Sequence, residues 1–301
     1  MSALHPRPLV PFTIASCGIA SFALMDVLMK SLSISLGAYN AVLWRNVIGA
    51  IITGGIFIVL RLPWPTTAVM RIHLKRSVIT SLMSVTFFWA LARLPLAEAI
   101  GVSFVAPVIA LYLAAILLKE RIGKEAIIAS AAGVAGMAVI LGGKFSGTYT
   151  QDALWGAVAV IISACLFAYN LIIARQQAQQ AQPFEIAFFQ SLLTACLLSP
   201  FAPWFAALPD MTYAPSLTAA ALLAMISLLL LSWAYARAEA QVLIPVEYTG
   251  FVWAAITGYY FFQEPLSVTA VAGTMLIVTG SIVAARTKPK AVIPQTEITA
   301  V

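Results

Sequence analysis

Asp26, Arg45 and Glu247 are ionisable side chains that stand well inside otherwise apolar stretches of this 301-residue chain. A charge held within lipid is costly, so each is a functional candidate by default. Asp26 falls about five residues before the far end of its stretch and Arg45 about seven residues after the start of the next, so at ~1.5 Å per residue they share a depth. They are expected to pair. Such a pair either ties two helices together or meets the ammonium and carboxylate of a zwitterion. Asn170 and Gln190 offer a neutral amide pair at the corresponding places of the second half.

Glu247 lies two residues after Pro245 in the run Pro245-Val-Glu-Tyr-Thr-Gly250, and its counterpart is Gly101-Val-Ser-Phe-Val-Ala-Pro107. Proline removes a backbone donor, and irregular backbone at depth is tolerated where it lines a cavity. Pro107 and Pro245 are therefore read as helix hinges, with Ser103, Phe104, Glu247 and Tyr248 beside them as binding candidates. Glu247 either bonds a neighbouring helix, faces water, or serves as a protonatable site. Trp89, Trp233 and Tyr169 offer faces on which an aromatic or apolar substrate can stack. Trp44 and Trp155, near segment ends, read as interfacial anchors.

Composition says why these residues stand out. Charged residues are 9% of the chain and apolar ones 62%; a soluble domain carries roughly 25% charge. Such a chain needs lipid around it, which excludes a soluble enzyme. The net charge of +6 comes from Lys and Arg between apolar blocks, as topology demands, and not from a nucleic-acid-binding patch. Cys17, Cys165 and Cys196 lack pairing or metal-ligand spacing and read as small packing residues.

Ten apolar segments run over 10–30, 38–60, 76–92, 95–118, 125–143, 152–175, 184–206, 215–236, 240–263 and 265–286. In lipid their backbone groups must bond internally, so they are helices. The first, long and without a small-residue cleavage site, is a retained helix. With the N-terminus in the cytoplasm, thirteen Lys and Arg fall inside (residues 7, 61, 71, 75, 76, 119, 121, 124, 175, 237, 286, 288 and 290) and three outside, Lys30, Arg93 and Lys144. The positive-inside rule then places both termini in the cytoplasm.

The chain repeats itself at a spacing of 144: Trp89-Ala-Leu-Ala-Arg93 matches Trp233-Ala-Tyr-Ala-Arg237, Glu120 matches Glu264, Gly136 matches Gly280 and Asp26 matches Asn170. Each half holds five segments. An odd number makes the second half enter from the opposite side, which predicts two inverted five-helix repeats of the secondary-transporter kind. Residues 1–147 form the first repeat, 148–287 the second, and 288–301 a flexible cytoplasmic tail. Several absences narrow the chemistry. No phosphate-binding G-x-x-x-x-G-K-[ST] run exists, and His5 in the tail and His73 in a loop form no zinc motif. No metal or cofactor is expected. Arg45 as the lone buried cation disfavours phosphorylated cargo.

The Leu-Leu-Lys-Glu-Arg run at 117–121, its partner Phe-Phe-Gln-Glu-Pro at 261–265 and the small-residue runs resemble the EamA family of the drug/metabolite transporter superfamily. Within it the chain looks most like the bacterial aromatic amino acid exporters. The resemblance implies a multi-pass protein of the bacterial inner membrane, a monomer or weak homodimer, exporting amino acids through a cavity lined by helices 1–4 and 6–9. Helices 5 and 10 would be peripheral supports. Efflux of hydrophobic cations is the alternative, and a membrane-embedded enzyme is disfavoured for want of a catalytic constellation.

Overall fold

The protein is described here from a computed structural model covering residues 9–106, 109, 113, 131–140, 150–237 and 249–285. Among the described residues there are ten helices of eight or more residues and no strand. They are α1 (Leu9–Leu36), α2 (Ala38–Val59), α3 (Thr67–Leu91), α4 (Leu96–Ser103), α5 (Ala131–Ile140), α6 (Gln151–Ala178), α7 (Pro183–Leu198), α8 (Ala214–Tyr235), α9 (Thr249–Phe262) and α10 (Val268–Ala285). Five stretches are long and apolar enough to cross a membrane: Val10–Leu36, Ala38–Val59, Gln151–Ala178, Pro183–Phe205 and Met211–Ala234.

Local sequence sets the ends of these helices. Gly37, at φ 81°, makes the single-residue turn from α1 to α2, a left-handed conformation that favours glycine. Thr66 caps α3 by accepting from the Val69 N–H at 3.4 Å. Proline opens α7 and α8, where a missing donor is harmless. In α4 the regular ladder gives way at Phe104 and Val105, whose N–H groups donate to Gly101 and Val102 at 3.3 and 3.2 Å. That tightening lies beside Pro107, which itself falls outside the described residues, as does Pro245.

The surface is apolar and the interior is spotted with polar groups. Ile51, Ile58 and Val59 are 70–80% exposed, whereas Asn46, Thr53, Ser163, Asn170 and Ser227 are buried. Small hydroxyls on helices satisfy themselves on the carbonyl one turn back, as Thr53 does on Gly49 at 2.6 Å, so they can face a neighbouring helix at little cost. Cys17, Cys165 and Cys196 are free and exposed on the helix surfaces, so the expectation that they pack in the interior is corrected.

The largest interfaces are α1 with α8, α3 with α6, and α2 with α7, every one joining the two halves. Exchanging the halves maps α1–α8 onto α6–α3 and returns α2–α7 to itself. The matching helices run in opposite senses. The C-terminal part of α1, the C-terminal end of α3 and the end of α9 meet through Lys30, Leu94 and Glu264. The start of α6 joins this end, because Gly156 lies against Arg93 and Leu94. The start of α3, the end of α6 and the start of α7 meet at the other end through His73, Gln177 and Glu185. α1 thus finishes where its counterpart α6 begins, which is an inverted repeat.

A second symmetric contact joins α5 to α10. A Cβ on Gly136 would lie 2.5 Å from the Gly273 carbonyl oxygen and from Ile277 Cγ1; one on Gly273 would lie 2.5 Å from the Gly136 carbonyl oxygen and from Ile140 Cγ1. The backbones therefore touch, as small residues in membrane helices permit. The symmetric partner of Gly136 is Gly273, not the Gly280 that the 144-residue spacing suggests.

α3 differs most from its expected extent. It begins at Thr67, not at 76, so His73, Lys75 and Arg76 belong to the helix and His73 is not in a loop. His73 is wholly buried and Arg76 is 8% exposed. Lys30, expected at the outer surface, is likewise 4% exposed within α1.

Overpacking a backbone-to-backbone contact costs about 1–3 kcal/mol. Gly273→Val is therefore expected to lower the thermal midpoint of the detergent-purified protein by several degrees. Gly55→Ala, where nothing lies within 4 Å of an added Cβ, should leave it unchanged or slightly higher. Equal midpoints for the two variants would contradict the α5–α10 contact.

Candidate functional site

Between the halves lies a cavity of about 330 Å³, within the range of small-molecule sites, roughly 300–1,000 Å³. α1, α2, α3, α4, α6, α7, α8 and α9 all contribute to its walls. No described residue of α5 or α10 does. Phenylalanines 22, 87, 88, 104 and 167 supply most of its aromatic surface, and Asp26, Arg45 and Arg76 its charge.

Asp26 and Arg45 face this cavity, with no salt bridge within 4 Å between them. The direct pairing expected from their depth is corrected: the two charges feel each other only through space. Arg45 donates from Nη1 to the Met25 sulfur at 3.3 Å, and its guanidinium lies 5.5 Å from the centre of the Phe88 ring. A thioether is a weak acceptor, so most of the five guanidinium donors remain for a guest.

Ser103, Phe104 and Asn170 line the cavity as well. Asn170 does not pair with Gln190. Its Oδ1 accepts from Arg76 Nε at 3.0 Å, while Gln190 donates to Thr80 Oγ1 and to Thr194 Oγ1, the latter at 3.1 Å. Gln190 Oε1 is buried without a partner.

The expectation that Trp89, Trp233 and Tyr169 line the cavity is corrected too, for none of them does. Arg93 folds back over the Trp89 ring at 3.6 Å and donates to the Trp89 carbonyl at 2.9 Å. Arg237 does the same to Trp233, at 4.3 Å and 3.3 Å. The repeated Trp-Ala-x-Ala-Arg motif is thus a cation–π clasp at a helix end, made once in each half. Tyr169 lies under Lys75, 5.1 Å from its Nζ. Trp155 is 57% exposed, but Trp44 donates to the Ala207 carbonyl at 2.9 Å and ties α2 to the connection before α8. Glu247 and Tyr248 lie outside the described residues.

Two networks escaped sequence reasoning. At one end, Lys30 bridges to Glu264 and donates to the Leu94 carbonyl at 2.6 Å. Glu264 Oε2 also accepts from the Leu96 N–H at 2.7 Å, and Ser267 donates to Glu98 at 3.3 Å. Glu98, a carboxylate inside the fourth segment that the sequence reading passed over, is 5% exposed. These contacts knit the ends of α1, α3, α4 and α9 together.

At the other end a polar chain leads to the cavity. Arg76 Nη1 donates to Gln177 Oε1. With its oxygen so occupied, Gln177 presents its amide nitrogen to His73 Nδ1 at 2.6 Å. Nδ1 must then accept, so the imidazole is neutral with its proton on Nε2, which faces Glu185 Oε1 at 3.0 Å. His73 is stacked on Phe189, with ring centres 5.0 Å apart. The chain fixes Arg76 against the cavity wall.

Removing one partner of a buried ion pair leaves a lone charge, which costs more than removing both. Lys30→Met and Glu264→Gln should each lower folded yield and the thermal midpoint more than the double variant does. A double variant as poor as the sum of the two would contradict the bridge.

The pattern of the EamA-like transporter family matches this chain twice, over residues 12–142 and 154–286. The chain is 26% identical over 272 residues to the pseudopaline exporter of Pseudomonas aeruginosa, covering 89% of this chain and 93% of that one. It is 22% identical over 260 residues to the S-adenosylmethionine uptake transporter of Rickettsia prowazekii, covering 86% and 87%. One crystal structure superposes with a TM-score of 0.64 over 91% of this chain and 98% of its own at 18% identity, a likeness of fold alone. The family is one of transporters, and these named relatives are an exporter and an uptake transporter, not enzymes. With a helical inverted repeat and a family match over nearly its whole length, the chain belongs to the EamA-like transporter family.

Proposed function

We propose that this protein exports amino acids, aromatic and other neutral ones among them, or closely related metabolites from the bacterial cytoplasm. It works by alternating access through the cavity between its halves. The observation that carries this reading is a carboxylate and a guanidinium, Asp26 and Arg45, facing one cavity without bridging each other. An ammonium and a carboxylate on one carbon complement such a couple, and the phenylalanines take the side chain.

The orientation, with both termini in the cytoplasm, follows the positive-inside count. The Lys30 end then faces outward and is drawn shut, while the cavity runs down to Ala178 at the last turn of α6, toward the cytoplasm. Residues 1–147 and 148–287 act as the two rocking units, with 288–301 a cytoplasmic tail, and the protein works as a monomer or weak homodimer in the inner membrane. Transport runs down the substrate gradient without obligatory proton exchange. The relatives include one exporter and one uptake transporter, so direction is read from the gradient and not from the fold. Efflux of hydrophobic cations is the second reading. Asp26 and the aromatic walls favour it, but two guanidiniums in the same cavity oppose a cation.

Counterflow in liposomes tests the reading. Vesicles loaded with an unlabelled neutral amino acid should take up the labelled form transiently, and Asp26→Asn should reduce the rate about ten-fold or more, the loss of one charge-assisted hydrogen bond. Counterflow with lipophilic cations and with no amino acid would overturn it.

A further inference from the structure

Asp26 and Arg45 recognise only the head of a substrate. Farther down the same cavity stands a second guanidinium, Arg76, 8% exposed and wall-lining. Its Nε and Nη1 are committed to Asn170 and Gln177, and those bonds hold it in place without neutralising it. No carboxylate lies within 4 Å of it among the described residues, and the rest of its fork is left over. The described cavity therefore carries two guanidiniums and one carboxylate, an excess of one positive charge in an apolar surround. A buried unpaired charge is strongly unfavourable, and an acidic guest removes that cost.

Helix geometry gives the spacing. Arg45 is the eighth residue of α2, counted from the Lys30 end. Arg76 lies fifteen residues before the end of α3 at that same side. At 1.5 Å per residue, their backbones differ in depth by about 10 Å. Their guanidiniums also lie apart, Arg45 by Phe88 and Arg76 by Gln177 toward the other end, so a plain α-amino acid seated on Asp26 and Arg45 does not reach Arg76.

Gln190 fills the interval. It is joined to Thr80, one helical turn from Arg76 on α3. Its Oε1 is buried with no donor, and it lines the cavity. A buried carbonyl without a donor is unfavourable, and turning it toward an N–H in the middle of a guest satisfies it.

We infer that the cavity is built for an elongated amino acid derivative: a zwitterionic head at Asp26 and Arg45, an internal N–H at Gln190, and a second acidic group at Arg76. Arg76 is the residue that sets this specificity. Gln177, His73 and Glu185 are its positioning residues, since their hydrogen bonds all run one way only while His73 is neutral. The inference rests on the amino acid reading above and extends it.

The test measures binding to the full-length protein in nanodiscs by calorimetry. γ-Glutamylglycine carries a zwitterionic head, a central amide N–H and a terminal carboxylate. Its terminal amide lacks only the charge, and glutamine lacks the arm. The acid should bind at least about ten-fold tighter than the amide, the worth of a charge-assisted contact. Arg76→Gln should bring that ratio to about one. Gln177→Leu, which leaves Arg76 present but unheld, should also shrink the ratio, and serves if Arg76→Gln fails to fold. Equal binding of acid and amide to the wild type overturns the inference and leaves the amino acid reading standing. Failure of all three compounds to bind overturns both.

Discussion

Lipid supplies no hydrogen bonds, and everything else in this molecule follows from that. A polar group within the bilayer must find its partner inside the protein or face an internal cavity. The chain solves this by turning its apolar residues outward and gathering its few charges between the halves. Lys30 with Glu264 and His73 with Glu185 are satisfied by each other. Asp26, Arg45 and Arg76 are satisfied only in part and share one cavity. The distinction between satisfied and unsatisfied charge is what separates the ties of the fold from the site.

The inverted repeat distributes these roles. The interfaces α1–α8 and α3–α6 are equivalent under exchange of the halves, and α2–α7 lies on the symmetry axis. The Trp-Ala-x-Ala-Arg clasp occurs once in each half, tighter in the first. The networks at the two ends are not equivalent. One is an ion pair between a helix and the α9–α10 connection, the other a relay from Glu185 to the cavity-lining Arg76. Equivalent backbones with different side chains would give the two access states of the proposed mechanism unequal stability.

The architecture was legible because it rests on length, composition and repetition. Ten apolar stretches and a 144-residue spacing predicted ten helices in two inverted halves, and all ten are represented among the described residues. Counting residues along two helices also put Asp26 and Arg45 at one depth. Counting gives depth but not facing or contact, so it turned neighbours into a pair that does not touch. Arg76 and His73 were hidden because the first ten residues of α3 hold four basic or imidazole side chains and read as a loop. Glu98 and Glu185 sit in first turns, where a carboxylate ordinarily favours the positive helix end. Phe104 was legible from its place beside Pro107, but the other cavity phenylalanines could not be told from lipid-facing ones, because both environments reward the same residue and the helices carry almost no amphipathic pattern. Trp89 and Trp233 looked like substrate faces for their size and repetition, and they proved to be occupied by their own arginines.

The central claim is that solute crosses through the cavity between the halves. Substrate protection tests it most directly. In a background lacking the native cysteines, Ala224→Cys on α8 lies in the cavity wall and Thr150→Cys lies exposed just before α6. The rate of maleimide labelling is measured on purified protein with and without an amino acid that supports counterflow. Slowing of several-fold at position 224 with no change at position 150 is the predicted result. Unchanged labelling at 224 under a solute that is being transported would contradict the account.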